Sequence, residues 1–311
     1  MNFSVLLSLY IKEKPEFLKE CLESLEKQTL PATEIIMVFD GAISSELEEV
    51  VRQFITILPI KIIRLPQNVG LGKALNEGLK YCSYNWVFRM DTDDICLPER
   101  FEKQLAFISE FPNVVLFSAH IAEFIEDKAL ISTYRRVPIG NKNIKKYALS
   151  RSPFNHMVVA FRKDIIEEVG GYQHHLFLED YNLWLRVIAK DYEVGNIDEV
   201  LLLARTGDGM LSRRRGRQYI KGEWKLFKLK KKLKLQGIFL GFLTFLLRVT
   251  PRILPTMALK MIYKILRKKY DKLEVIVEEK RKVDEERVEI KQNIPIKWYD
   301  YNIILTDNIL N

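Results

Sequence analysis

Asp91, Asp93 and Asp94 close the stretch WVFRMDTDD, in which Trp86, Val87, Phe88 and Met90 are apolar. That run has the aromatic and β-branched character of a buried strand, so the acids fall where the strand stops. In open α/β sheets, ligands bind outside the carboxyl ends of the strands. Two carboxylates one residue apart, Asp91 and Asp93, can share a hard cation such as Mg2+ or Mn2+ and leave coordination positions for diphosphate oxygens. The same acids also suit a solvated loop capping the helix that Pro98 and Glu99 begin. A second candidate is QNVGLGKALNEG, where Gly70 and Gly72 open a helix, letting the backbone approach an anion, and Lys73 adds a point cation. It is neither a Walker A loop nor a dinucleotide fingerprint. A third is Leu178 to Arg186, LEDYNLWLR, with Glu179 and Asp180 in a first helical turn, where acids ordinarily just offset the helix dipole.

The elements that must hold these groups alternate. Phe3 to Tyr10, Glu34 to Phe39 and Ile60 to Leu65 read as strands. Each is followed by apolar residues at helical spacing, in Glu16 to Leu25, in Leu47 to Ile55 and in the helix bearing Ala74, Leu75 and Leu79. Such alternation predicts an α/β fold with a mostly parallel sheet. Tyr10 to Glu13, Asp40 and Asp91 to Asp93 then sit at strand ends and converge on one rim. Past a helix over Pro98 to Phe111, Val114 to Phe124 and Leu130 to Val137 predict a hairpin across Glu126 to Ala129. Asn155 to Phe161 predicts a strand entered by His156, Lys163 to Val169 a short helix stopped by Gly170 and Gly171, and Val194 to Arg205 two short strands. His174 and His175 lack ligand-spaced partners and read as loop residues.

In order and spacing, four fragments together resemble the family 2 inverting glycosyltransferases: SLY (Ser8 to Tyr10) with Glu13, VFDG at Val38 to Gly41, NVGLGKALNEG at Asn68 to Gly78, and MDTDD at Met90 to Asp94. The likeness covers about residues 3 to 220 and is strongest to bacterial enzymes, of amylovoran type, that assemble O-antigen, capsule or exopolysaccharide repeat units. It implies the GT-A fold, a three-layer sandwich around a mostly parallel sheet, binding a nucleotide-diphosphate sugar, a UDP-sugar above all. By this resemblance Asp40 hydrogen-bonds the nucleobase, while Ser8, Tyr10, Glu13, Asn68, Gly70 and Lys73 lie along the donor. Asp91 and Asp93 hold ribose, a divalent cation and diphosphate. Asp180, with Glu179 second, is the catalytic base, and His156, Trp184 and Arg186 line the acceptor. Asp40 is followed by Gly41, where many relatives carry a second acid. Processive members have Gln-x-x-Arg-Trp where this chain has RQYIKGEW, so one sugar per encounter is implied. A sugar-nucleotide nucleotidyltransferase, or a non-catalytic basic membrane-binding protein, are the competing readings.

The 311 residues, 48% of them hydrophobic, can bury a substantial core. Three scattered cysteines exclude a disulfide framework or zinc site and point to a reducing compartment. The amino terminus, apolar without a basic leader or cleavage site, reads as a strand and not a signal peptide. Net charge is +8, yet Ser212 to Tyr270 alone carries +17, leaving −9 elsewhere. Such a segment must meet phosphates. Arg213 to Arg217 could clamp diphosphate. Gly237 to Leu247 is apolar but too short to span a bilayer, and Pro251 and Pro255 break its pattern. The expectation is a peripheral, cytoplasmic enzyme on the inner face of the cell membrane, lying on anionic lipid and acting on a lipid-linked oligosaccharide. Nucleic acid is not an expected partner, because no recognition motif accompanies the charge. The organisation expected is 1–220 catalytic, split near residue 112 into nucleotide and acceptor halves, 221–270 as basic amphipathic helices, and 271–311 as a charged tail.

Overall fold

Strand and helix alternate through the first 89 residues of the computed structural model, which describes residues 1–206 and 216–253. The elements are β1 (Ser4–Leu9), α1 (Pro15–Glu26), β2 (Glu34–Phe39), α2 (Ser45–Ile55), β3 (Ile60–Arg64), α3 (Leu71–Tyr81) and β4 (Trp86–Arg89). Pro15 starts α1 at a position whose N–H has no intrahelical partner, and the Ser44 side chain accepts from Leu47 N to start α2. There follow β5 (Ile95–Cys96), α4 (Arg100–Glu110), β6 (Val114–Phe124), β7 (Ile131–Arg135), α5 (Asn141–Tyr147), β8 (Ala160–Arg162), α6 (Lys163–Glu168), α7 (Glu179–Ala189) and β9 (Glu193–Arg205). Two further helices are α8 (Arg217–Lys232) and α9 (Ile238–Ile253).

The sheet runs β3-β2-β1-β4-β8-β6-β9-β5, with β7 paired to β6. It is parallel through β3, β2, β1 and β4, and again between β6 and β9; β8 opposes both of its neighbours. Leu9 pairs with Phe39 and Leu6 with Arg89, so the chain leaves β1, β2 and β4 along one edge. Alternation splits β1 between the two faces: Phe3, Val5, Leu7 and Leu9 pack with α1, α2 and α4, while Leu6 packs with α3 and α7. The result is the expected three-layer sandwich.

Three local expectations change. Asn155 does not begin a strand: buried, it donates from Nδ2 to the carbonyls of Ala119 (2.8 Å) and Arg135 (3.1 Å), and its own carbonyl takes Val158 N. The chain therefore makes a 3-10 turn at His156–Val158 before β8. Residues 193–205 form one strand, whose register shifts against β6 absorb the break that the sequence suggests. Helix α9 continues through Pro251, where the ring removes only one ladder bond near the end. The compact unit that holds the sheet runs from Met1 to Val249 and includes α8. Residues 207–215 and 254–311, with most of the Arg213 to Arg217 run, Pro255 and the charged tail, lie outside the described residues.

One side chain ties the layers at the rim. The Asn76 amide on α3 donates to Tyr172 O (2.7 Å) and accepts from Tyr172 N (2.8 Å), and Gly171, at φ +60°, leaves no room for a Cβ beside it. Asn76→Ala abandons both backbone groups. The expected outcome is a loss of about 1–3 kcal/mol, read by urea unfolding as a lower midpoint at unchanged slope.

Candidate active site

Arg89, the last residue of β4, lies buried with its guanidinium turned back on Asp91. One pair of atoms is 2.6 Å apart and the second nitrogen reaches the other carboxylate oxygen, so the contact is bidentate. Arg100 donates to Arg89 O at 2.6 Å and holds the strand end from behind. Beyond it, Asp91, Asp93 and Asp94 present oxygens within 4.8 Å of one another. The intervening Thr92 turns inward and donates to Glu13 Oε2 (2.7 Å), joining the loop after β1 to the acids. Asp94 is also buried: Oδ1 accepts from Arg205 N (2.9 Å), while Oδ2 has no hydrogen-bond partner. Arg205 stacks over Phe17 (3.9 Å) and Phe124 (4.6 Å) and pairs with Glu20.

Crowding sets the electrostatics. Burial, then the charges of Asp91 and Glu13, raise the Asp93 carboxyl to about 7. Burial, Asp91 and Asp93 drive Asp94 well above the usual carboxylate range. An all-oxygen set with a buried unpartnered oxygen and mutually repelling carboxylates fits a hard divalent cation. The sequence paired only Asp91 with Asp93; the structure adds Asp94 to their cluster and Arg89 behind it, whose signal was a lone charge inside an apolar run.

Around the same rim, the Asp40 carboxylate accepts from Val69 N (2.7 Å) and Gly70 N (3.0 Å), and Asn68 Nδ2 donates to Asp40 O (3.2 Å). Asp40 is 3% exposed, and both of its carboxylate oxygens take part in pinning the 68–70 turn, a structural task beside the recognition expected of it. Gly41 follows for a local reason: φ is +86°, and a Cβ would meet Asn68 N at 2.6 Å. Tyr10, Asn68 and Lys73 are exposed, Ser8, Glu13 and Gly70 partly so, and all six lie along this edge.

The opposing wall comes from the Gly170-Gly171-Tyr172 turn and the start of α7. A Cβ on Gly72 would touch Tyr172 Cβ at 3.3 Å and Glu179 Cγ at 3.4 Å, so the α3 start packs directly on this wall. The Tyr172 hydroxyl bonds His156 Nε2 at 2.8 Å. Burial raises the Tyr172 phenol; Arg89 opposes the rise, and the charges of Asp180 and Asp91 add to it. The charge of Asp91, after β4, and that of Asp180, opening α7, thus both act on this one tyrosine. Glu179 is raised by burial and by Asp180. His156, partly buried, is pushed well below its ordinary value by burial, Arg89 and Arg135, so it is a neutral hydrogen-bonding group.

Two expected acceptor residues are corrected. Trp184 is 0% exposed, packed edge-on against Phe154, His156 and Tyr172, and has no face for a sugar. Arg186, also buried, donates to Asn182 Oδ1 (2.9 Å) and to the carbonyls of Val169 and Gly171, so it builds the turn that carries Tyr172. His175 is buried as well, bonded to Gly222 O (2.8 Å) and Asn182 (3.0 Å).

The model of the glycosyl transferase family 2 domain matches residues 4–170, more than half the chain, and spans the strand ends just described. The chain belongs to glycosyl transferase family 2. An uncharacterized glycosyltransferase of Haemophilus influenzae is 52% identical over 269 residues, covering 86% of this chain and all of that protein. The amylovoran biosynthesis glycosyltransferase AmsE of Erwinia amylovora is 49% identical, over 86% of this chain and 99% of its own. The UDP-Gal:alpha-D-GlcNAc-diphosphoundecaprenol beta-1,3-galactosyltransferase of Escherichia coli is 38% identical, over 85% and 95%. In structure, the chain is similar to S. aureus TarS, solved in complex with UDP-GlcNAc, at TM-score 0.62 and 19% identity over 80% of this chain and 72% of that one. This last likeness carries the GT-A fold alone.

The raised Asp93 carboxyl has a consequence for stability. Unfolded, an aspartyl group titrates near 3.8, and folded, Asp93 does so at about 7, so the folded chain binds more protons between these values. The stability of the metal-free family 2 transferase must then fall as pH rises through that window. Asp93→Asn should raise the metal-free melting temperature at about pH 8 and change it little at about pH 5. Mn2+ should raise the melting temperature of the wild type and not of the variant, as thermal scans would read.

Proposed function

We propose that this family 2 enzyme moves a sugar from a nucleotide-diphosphate donor, a UDP-sugar first among them, to a hydroxyl of a lipid-linked oligosaccharide, with inversion and with a divalent cation. One observation carries the reading: three carboxylates after β4 lie within 4.8 Å of one another, as a cation would need, on the rim that Tyr172 shares with the start of α7, where Glu179 and Asp180 stand apart from that cluster. The names of two relatives support it, one a UDP-galactose transferase acting on a diphosphoundecaprenol-linked sugar and the other an enzyme of amylovoran biosynthesis.

Asp91, Asp93 and Asp94 would hold the cation, Mg2+ or Mn2+, which when bound offsets negative charge building on the departing diphosphate. Arg89 keeps Asp91 turned toward its neighbours. The 68–70 turn, shaped by Asp40, leads into the α3 start, where the helix dipole and exposed Lys73 favour diphosphate oxygens. Tyr10 and Ser8 flank the nucleoside end. Asp180 takes the proton of the acceptor hydroxyl as its oxygen attacks the anomeric carbon, opposite the bond that breaks to diphosphate. Glu179, partly buried beside it, has its carboxyl raised by burial and by the Asp180 charge. His156, neutral, is a hydrogen-bonding group on the acceptor side.

Asp180→Asn should bind UDP with Mn2+ as the wild type does in calorimetry, and lose transfer by about 10²- to 10⁴-fold, the range for a general base. Unchanged turnover would remove Asp180 from the role. A product of retained anomeric configuration, read by NMR coupling, would overturn single displacement.

A further inference from the structure

Helix α9 presents Ile238, Phe239, Leu240, Phe242, Leu246 and Leu247 at 44% to 82% exposure, with no charged residue between Ile238 and Leu247. Phe239, Phe242 and Leu246 are spaced i, i+3, i+7 and share one stripe. A water-soluble surface rarely leaves so many large apolar side chains together. Beside them, α8 carries Lys221, Lys225, Lys228 and Lys232, all exposed, at spacings that form a second stripe. The stripes join through rings: Lys228 Nζ lies 5.5 Å from the Trp224 centroid, Trp224 is 5.3 Å from Phe245, and Phe245 is 6.0 Å from Phe242.

We propose that the α8–α9 pair is a docking surface for an anionic lipid bilayer, with the α9 apolar stripe inserted among the acyl chains and the α8 lysines at the headgroups. Three considerations select this occupant. The ten uncharged residues from Ile238 to Leu247 rise about 15 Å as a helix, half of the roughly 30 Å hydrocarbon core, so insertion is parallel to the surface. No helix among the described residues is long and apolar enough to cross a membrane. A second copy of the chain seated face to face would set lysine stripe against lysine stripe, whereas anionic headgroups complement both.

The pair is also fixed to the body. Its inner face buries Tyr219, Gly222, Leu226 and Lys230, with Lys230 Nζ donating to Leu149 O at 2.6 Å. Arg248 of α9 grips Glu223 of α8 at 2.6 and 2.7 Å and donates to Ser150 O at 2.7 Å. His175, four residues before the start of α7, bonds Gly222 O. A bilayer under α9 thus has a set relation to the helix that carries Asp180, as delivery of a lipid-linked acceptor requires. The packing accounts for one face of the pair and leaves the other to the membrane.

The test uses the full chain and sedimentation with vesicles of phosphatidylcholine and phosphatidylglycerol in equal parts, against phosphatidylcholine alone, at low ionic strength. The wild type should partition onto the anionic vesicles. Phe239→Asp with Phe242→Asp should lower the partition coefficient by roughly tenfold or more, and Lys221→Glu with Lys225→Glu and Lys228→Glu should do so on anionic vesicles only. All these positions are exposed, so melting curves should match the wild type. Transfer to a detergent-free, water-soluble acceptor should be unchanged, which separates this proposal from the transfer reading. A wild type that stays in the supernatant would overturn it, as would aspartate variants that bind equally well. A concentration-dependent dimer in light scattering, abolished by Phe239→Asp, would instead make a second copy the occupant.

Discussion

Like-charge crowding at the end of β4 is the constraint around which the rest of the molecule is arranged. Three carboxylates within 4.8 Å cannot be kept in a half-buried place without compensation. Arg89 supplies part of it from inside the sheet, and its carbonyl is in turn held by Arg100. A backbone N–H supplies another part, that of Arg205, whose side chain is wedged between two phenyl rings on different elements. Raised carboxyl groups at Asp93 and Asp94 measure what is still uncompensated. The aromatic, ionic and backbone contacts of this corner share one purpose, which is to keep oxygens close together that would otherwise move apart.

A reversal of strand direction brings the second set of groups to the same place. Because β8 runs against β4, its amino end lies at the rim where β4 has its carboxyl end. The 3-10 turn carrying His156 therefore precedes its strand yet faces the acids, and Gly171 and Tyr172 follow α6 back to it. Arg186 and Asn76 hold that turn from two sides, one through its carbonyls and one through Tyr172's peptide groups.

The alternation of strand and helix, the acids at strand ends and the Gly70–Gly72 helix start were legible because each depends on local pattern: period two, period 3.6, and residues that permit or stop an element. The resemblance of four short fragments then named the family. What local pattern could not supply was side-chain direction within α7. From Tyr181 to Ile188 every residue of that helix is buried, so the polar spacing of Glu179, Asn182 and Arg186 marks no solvent face, and Trp184 and Arg186 read as equally available to a ligand. Asp94 was missed for a similar reason. Adjacent acids look interchangeable in a sequence, and only Arg205, over a hundred residues away, decides which oxygen is held and which is left.

The use of Asp40 bears on how substitutions in this enzyme are to be interpreted. Both of its oxygens are engaged by amides of the turn that leads into α3. Removing the carboxylate would therefore unfasten a loop some thirty residues distant in sequence before it altered any contact with a nucleobase. A kinetic defect at this position would mix disorder with lost recognition, and the mixture would look like weakened donor affinity. In the proposed reading the exposed side chain of Tyr10 borders the same donor, and pairing substitutions at the two positions in a double-mutant cycle would divide the defect into its geometric and chemical shares.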